Sequence, residues 1–239
     1  MSSKPLNALR RAALLVVAAT VAGCATTDSA KTMSSAEPDK LVSDAQVTLD
    51  NFVRDPDQTW IQDNLNRAKA ILIAPQIVKA GFVLGGSGGR AVLVVREVGP
   101  HPAIGVPWTG PAFYNLATAS VGFQAGVEVS EVVIVVMTEK GLNSLLSNSF
   151  KIGGDASIAV GPTGAGAKST VTADLIAFSR VKGLYGGLNL DGTVVRTDSD
   201  WNDAYYGGKN LLPPDILMRK TVQSPKSAPL LTAVARAGR

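Results

Sequence analysis

From residue 40 to residue 72 apolar side chains recur every three or four positions; beyond residue 79 they alternate or run unbroken. The first period predicts two helices. Over residues 40–54, Leu41, Ala45, Leu49 and Phe52 form one stripe, with Asp39 placed to cap its start. Asp55-Pro56-Asp57 breaks it, and a second helix over 58–73 sets Ile61, Leu65, Ala68 and Leu72 on one face until Pro75 stops it. Strands follow. Residues 79–85 and 90–97 read as a hairpin about a Gly-rich turn at 86–89, 112–129 as a long Gly-punctuated strand, and 131–138 as a strand buried on both faces. A short helix is predicted over 139–147. Residues 155–160 and 169–180 flank Gly161-Pro162-Thr163-Gly164-Ala165-Gly166 as a second hairpin. Residues 184–190 and 193–197 meet at the tight-turn pair Asp191-Gly192. A helical turn over 200–206 and an irregular exit from Pro213-Pro214 complete the pattern. Two helices, then strands in hairpin order with no β–α–β alternation, predict an α+β fold: an antiparallel, β-rich single domain with N-terminal helices packed on the sheet.

Composition agrees with a packed domain. Hydrophobic residues make up 46% and charged residues 18%, while 24 Gly and only 5% aromatics favour sheet and turns over a helical bundle. The net charge of +4 is unevenly spread. Lys4, Arg10 and Arg11 precede residue 24, leaving 20 bases against 19 acids. Arg219, Lys220, Lys226, Arg236 and Arg239 all follow the last acid, Asp215, so residues 24–218 hold 15 bases against 19 acids. An acidic body argues against nucleic-acid binding, which needs a basic face on the folded part. The pattern predicts a folded region over 39–218 and a basic flexible tail over 219–239. One Cys and one His exclude an internal disulfide and a His/Cys metal site. His101 sits in the turn-forming run Gly99-Pro100-His101-Pro102, with no nucleophile–base pair around it. The expectation is a protein that is not an enzyme and uses no metal or cofactor.

The first 23 residues have a different character. Lys4, Arg10 and Arg11 lead into an apolar stretch over 12–22, interrupted only by Thr20. Eleven helical residues span about 17 Å, far short of a ~30 Å hydrocarbon core, so this is a signal-peptide core and not a membrane span. It ends in Val21-Ala22-Gly23-Cys24, which resembles the bacterial lipobox, and the chain's single cysteine stands where lipid would be attached. Cleavage before Cys24 and acylation of its sulfur are expected. Ala25, rather than Asp, follows the cysteine, which by the same resemblance implies the outer membrane, with the domain facing the periplasm. Residues 24–38 read as a flexible tether.

Two glycine-rich runs imitate nucleotide sites without their context. Residues 161–169 nearly spell a P-loop, but the lysine is one residue late and a strand pattern, not a helix start, follows. Residues 85–89 fail as a dinucleotide fingerprint because 90–96 reads as strand.

Several runs together resemble the SYLF domain family, which includes the Ysc-type actin-patch proteins. They are Ala70-Ile71-Leu72-Ile73-Ala74-Pro75; residues 79–89, KAGFVLGGSGG; Trp108-Thr109-Gly110-Pro111-Ala112-Phe113; residues 120–126, SVGFQAG; Gly161-Pro162; residues 179–187, SRVKGLYGG; and Tyr205-Tyr206-Gly207. Thr109 and Val181 stand where the family usually has Ser. The resemblance spans residues 40–218 and implies binding of acidic, phosphoinositide-like phospholipid headgroups, with no catalytic residues. Lys79, Arg90, Lys151, Lys168, Arg180 and Lys182 lie on or beside predicted strands and turns. Of these, Lys79, Arg180 and Lys182 fall in the segments nearest the family pattern, where Gly81, Gly183 and Gly186 would let a headgroup reach backbone N–H groups. They are the candidate lipid-binding residues. The alternative is an envelope protein that binds a protein partner near the membrane.

Overall fold

The computed structural model describes residues 34–81, 84–97, 107–121, 126–164, 172–181 and 190–238. Its first helix, α1 (Ala36–Arg54), buries Val42, Ala45, Leu49 and Phe52, the stripe that its sequence period requires. Asp39 does not cap it. Ser35 holds the N-cap position, and Asp39, one turn in, pairs with Lys226 at 2.5 Å. Residues 36–38 are therefore helix, not tether.

The second helix is shorter than its pattern. It covers α2 (Thr59–Asn64), followed by a 3-10 turn at Leu65–Arg67, and β1 (Ala70–Gly81) starts where a helix was expected to continue. Residues 70–74 are buried on both faces, so an unbroken apolar run there satisfies a helix period and a central strand equally. Pro75 does not stop this element. The register of β1 against both neighbours shifts between residues 73–74 and 76–77, and a bulge is where a strand tolerates a residue with no N–H. Arg96 fixes the approach to β1, donating to the carbonyls of Ala68 and Leu65 at 2.8 and 2.7 Å.

The remaining strands are β2 (Leu84–Arg96), β3 (Trp108–Val121), β4 (Gly126–Val136), β5 (Ser149–Lys151), β6 (Ile158–Val160), β7 (Leu175–Val181) and β8 (Val194–Thr197). They form one eight-stranded sheet in the order β5-β8-β3-β2-β1-β4-β7-β6. All pairs are antiparallel except β6–β7. Strand β4 returns beside β1 after β1, β2 and β3, a Greek-key order. The expected α+β class with helices on an antiparallel sheet is observed. Two expected hairpins are not. Residues 86–89 lie inside β2, paired with both β1 and β3; β1 ends at Gly81 and β2 starts at Leu84. A Cβ on Gly89 would stand 2.2 Å from the Gln76 carbonyl oxygen at the bulge, which explains that glycine without a turn. The pairing of β6 with β7 is parallel, so the two strands do not form a hairpin; Gly161 lies against the ring of Phe178, which a Cβ there would meet at 2.1 Å.

Both sheet faces are covered over the half nearest Ala70, Val95, Ala112 and Val136. On one face Ile71, Ile73, Val92, Val94, Phe113, Val133, Val135, Ile176 and Phe178 pack against α1, α2, α4 (Ser199–Tyr206) and α6 (Ala228–Ala237). On the other, Leu72, Ala74, Leu93, Ile134 and their neighbours pack against α3 (Glu139–Leu146), α5 (Pro213–Leu217), Ile152 and Leu190. Each fully buried Leu, Ile or Phe contributes about 1.5–3 kcal/mol by removal from water. Residues 213–217 are thus helical, not an irregular exit. The basic flexible tail expected over 219–239 is likewise corrected: α6 buries Leu230, Leu231, Ala233 and Val234 against the α1 layer. Its i, i+3, i+4 apolar spacing is present in the sequence, at Leu230, Ala233 and Val234, within an otherwise basic stretch.

Candidate functional site

Beyond the covered half, β1, β2, β3 and β4 run on together as a four-stranded tongue. It comprises roughly residues 78–81, 84–89, 117–121 and 126–129, in register with one another. Its two faces differ. Continuous with the Leu72–Ile134 core, one face carries a polar row: Glu128 on β4, Lys79 on β1, Ser87 on β2 and Thr118 on β3 stand directly opposite one another in turn. All four are half-buried. Thr118 Oγ1 shares a 2.6 Å hydrogen bond with Thr193, and Ser130 Oγ donates to Glu128 at 3.1 Å. The helix-side face of the same strands carries Val78, Ala80, Ala117, Ala119, Val127 and Val129.

A second polar row crosses the helix-side face where the helices end. It runs Arg196 (β8), Asn115 (β3), Arg90 (β2), with Gln76 opposite Arg90 on β1, then Glu131 (β4) and Arg180 (β7). The helices lean on this row. Arg90 lies 4.2 Å over the Trp201 ring and donates from Nε to Asp198 at 3.2 Å, while Asn115 donates to the same carboxylate oxygen at 2.8 Å. Asp198 also accepts from the Trp201 N–H at 3.2 Å, capping α4. Thr48 of α1 donates to Glu131 at 3.3 Å, and Arg180 grips Glu131 through Nε at 2.9 Å and through Nη2, with its guanidinium 5.6 Å over Phe52.

The expected lipid-binding trio is not gathered in one place. Lys79 and Arg180 lie on opposite faces of the sheet, and Arg180 is committed to Glu131. Lys182 and Cys24 lie outside the described residues, as do His101 and Lys168. Sequence reasoning did not find Ser87 and Thr118 beside Lys79. The signal was available only as strand alternation, once the true β1–β2 register is known.

Other polar clusters have structural roles. Asp174 accepts from Thr138 Oγ1 at 2.6 Å and from Ser157 N and Oγ at 2.9 and 2.8 Å. Those hydrogen bonds, Thr138 first, outweigh partial burial and hold its carboxyl down to about 2. The cluster ties the start of α3 to the strands. Tyr114 donates to the Leu145 carbonyl at 2.6 Å, and burial pushes its hydroxyl well above the usual range. A cavity of about 250 Å³ opens at the far end of the strands from the tongue, lined by Glu97, Trp108, Thr109, Gln223, Ser224 and Leu231. There Glu97 is paired with Lys220 at 2.8 Å. Among the described residues no group of three or more His, Cys, Asp or Glu could hold a metal, and no helix is long and apolar enough to cross a membrane.

Residues 117–237 match a family model described as "Ysc84: Las17-binding protein actin regulator". Protein YSC84 of Saccharomyces cerevisiae is 28% identical over 200 residues, covering 78% of this chain and 41% of that protein. LAS seventeen-binding protein 3 of the same organism is 29% identical over 164 residues, covering 66% and 34%. Human SH3 domain-containing YSC84-like protein 1 is 26% identical over 156 residues, covering 63% and 44%. The chain spans less than half the length of these relatives. The matched stretch begins within β3 and ends within α6, so it includes the C-terminal helix.

Proposed function

The chain belongs to the Ysc84 family, and we propose that it is a non-enzymatic binding domain, tethered to a membrane through a lipid on Cys24, that takes acidic phospholipid headgroups. The tether places it at the outer membrane, facing the periplasm. The observation that carries the headgroup reading is the row Lys79, Ser87, Thr118. An ammonium and two hydroxyls in adjacent strands can meet the oxygens of one phosphate, and the surrounding glycines keep side-chain bulk low. Glu128, directly across from Lys79, sets a limit: a polyanionic headgroup must outcompete it for the ammonium. Lys182, which follows β7 in the sequence, is proposed as a further cation for the headgroup, and Arg180 serves by holding Glu131 and the end of β7 in place.

Co-sedimentation with vesicles containing anionic phospholipid tests this. Lys79→Gln should release the domain into the supernatant while leaving its circular dichroism unchanged. Glutamate is a poor probe at either position, because at Arg180 it would face Glu131 and at Lys79 it would face Glu128, like charges that disturb the fold. If Lys79→Gln folds and sediments with anionic vesicles as the parent does, the row is not the headgroup site. The second reading, a protein partner, is favoured by a different surface, the apolar face of the tongue.

A further inference from the structure

On the tongue the usual order of burial is inverted. The polar face is half-buried, while Val78, Ala80, Ala117, Ala119, Val127 and, on β8, Val194 are exposed on the other face. Val127 is 71% exposed, and three of the seven exposed large hydrophobics among the described residues lie on this one face. Scattered exposed apolar residues are ordinary; a flat contiguous set on one sheet face marks a contact surface. We propose that this face is a docking slot for an amphipathic helix of a partner protein, with acidic residues along the flank that faces Arg90 and Arg196.

The shape of the slot selects the occupant. The helix layer stops at the row Arg196–Asn115–Arg90–Glu131–Arg180, where Trp201, Thr48 and Phe52 contact it. Next to that row the sheet lies open, so the exposed face sits at the foot of a step about one helix diameter, ~10 Å, high. A flat bilayer cannot reach the floor of such a step without pressing on α1. A helix laid beside α1 fills it. From β8 to β4 the floor is four strand spacings, about 19 Å, matching a helix of about 13 residues. The two rows of apolar residues, at 78/88/117/129 and 80/86/119/127, give it a stripe to bury.

Charge sets the partner's polarity. Arg196 is exposed and has no carboxylate partner among the described residues. Arg90 is half-exposed and engages Asp198 through Nε. Lys151 is exposed opposite Val194 at the same border. Arg196 and Arg90 stand on the long side of the slot and Lys151 at its β5 end, so an acidic flank is attracted and a basic one repelled.

Site-specific photo-crosslinking in the intact, exported chain tests this. A benzophenone amino acid at Val127 should give a covalent adduct with a polypeptide, and the cross-linked peptide should carry an apolar stripe with Asp or Glu beside it. The same probe at Val160, 73% exposed on the edge strand β6, should give none. Arg196→Glu, and independently Lys151→Glu, should lower the Val127 adduct at least fivefold with the melting curve unchanged. An adduct with lipid would move this face to the membrane, an adduct with a second copy would make it a dimer interface, and either overturns the proposal. No adduct at Val127, or one indifferent to both charge reversals, also overturns it. Vesicle sedimentation of Lys79→Gln tests the lipid reading of the opposite face separately.

Discussion

Truncating Leu230 in α6 would show whether the last helix belongs to the fold. Leu230 and Val234 are fully buried, Leu231 and Ala233 nearly so, and together they close the α1 layer above Phe113 and Trp108. Leu230→Ala removes three buried carbons from a site walled by α1 and the sheet, which can collapse only partly. Such truncations cost about 2–5 kcal/mol. For a domain near 200 residues each kcal/mol lowers the melting temperature by about 2–4 °C, so a drop of roughly 4–20 °C is expected. Arg236, exposed on the same helix, is the control: Arg236→Ala should stay within about 0.5 kcal/mol of the parent. Thermal unfolding followed by circular dichroism, with urea titration for the free energy, reads both. A Leu230→Ala variant as stable as Arg236→Ala would mean that α6 is not part of the cooperative unit.

Gly89→Ala should destabilise by about 1–3 kcal/mol, since its methyl group would collide with the Gln76 carbonyl at the bulge, and a parent-like urea midpoint would refute that cause. Asp174 is held below its unfolded value, so its contribution is present above about pH 4 and is lost as pH falls towards about 2. Asp174→Asn should therefore flatten the fall in stability between those values, and an unchanged slope by urea titration at each pH would contradict the assignment. Cys24→Ala should abolish palmitate labelling and membrane retention, because the acyl chains supply about 0.8 kcal/mol per buried CH₂; label persisting on the variant would exclude this residue.

The α+β class was legible because it depends on the order of long periodic segments, which survives local errors. The α1 stripe and the helix at 139–146 were legible for the same reason. Residues 70–74 were not, since a strand buried on both faces has no alternation to display. Gly86, Gly88 and Gly89 misled because glycine serves a close backbone approach as readily as a turn, and only the neighbouring strand reveals which. Lys79 and Arg180 stand at predicted strand boundaries in the segments nearest the family pattern. Sequence does not show that a bulge and the strand order put them on opposite faces, or that Glu131 on β4 stands opposite Arg180 on β7. The apolar face of the tongue was hidden too, because its valines and alanines alternate like those of any half-buried strand.

Sedimentation of the folded domain with vesicles, anionic against zwitterionic, at rising salt tests the headgroup reading most directly. Capture by anionic vesicles alone is expected, weakening as salt shortens the screening length below ~8 Å, and is lost in Lys79→Gln. Equal behaviour on both vesicle types, or capture that ignores salt and Lys79 alike, would contradict it.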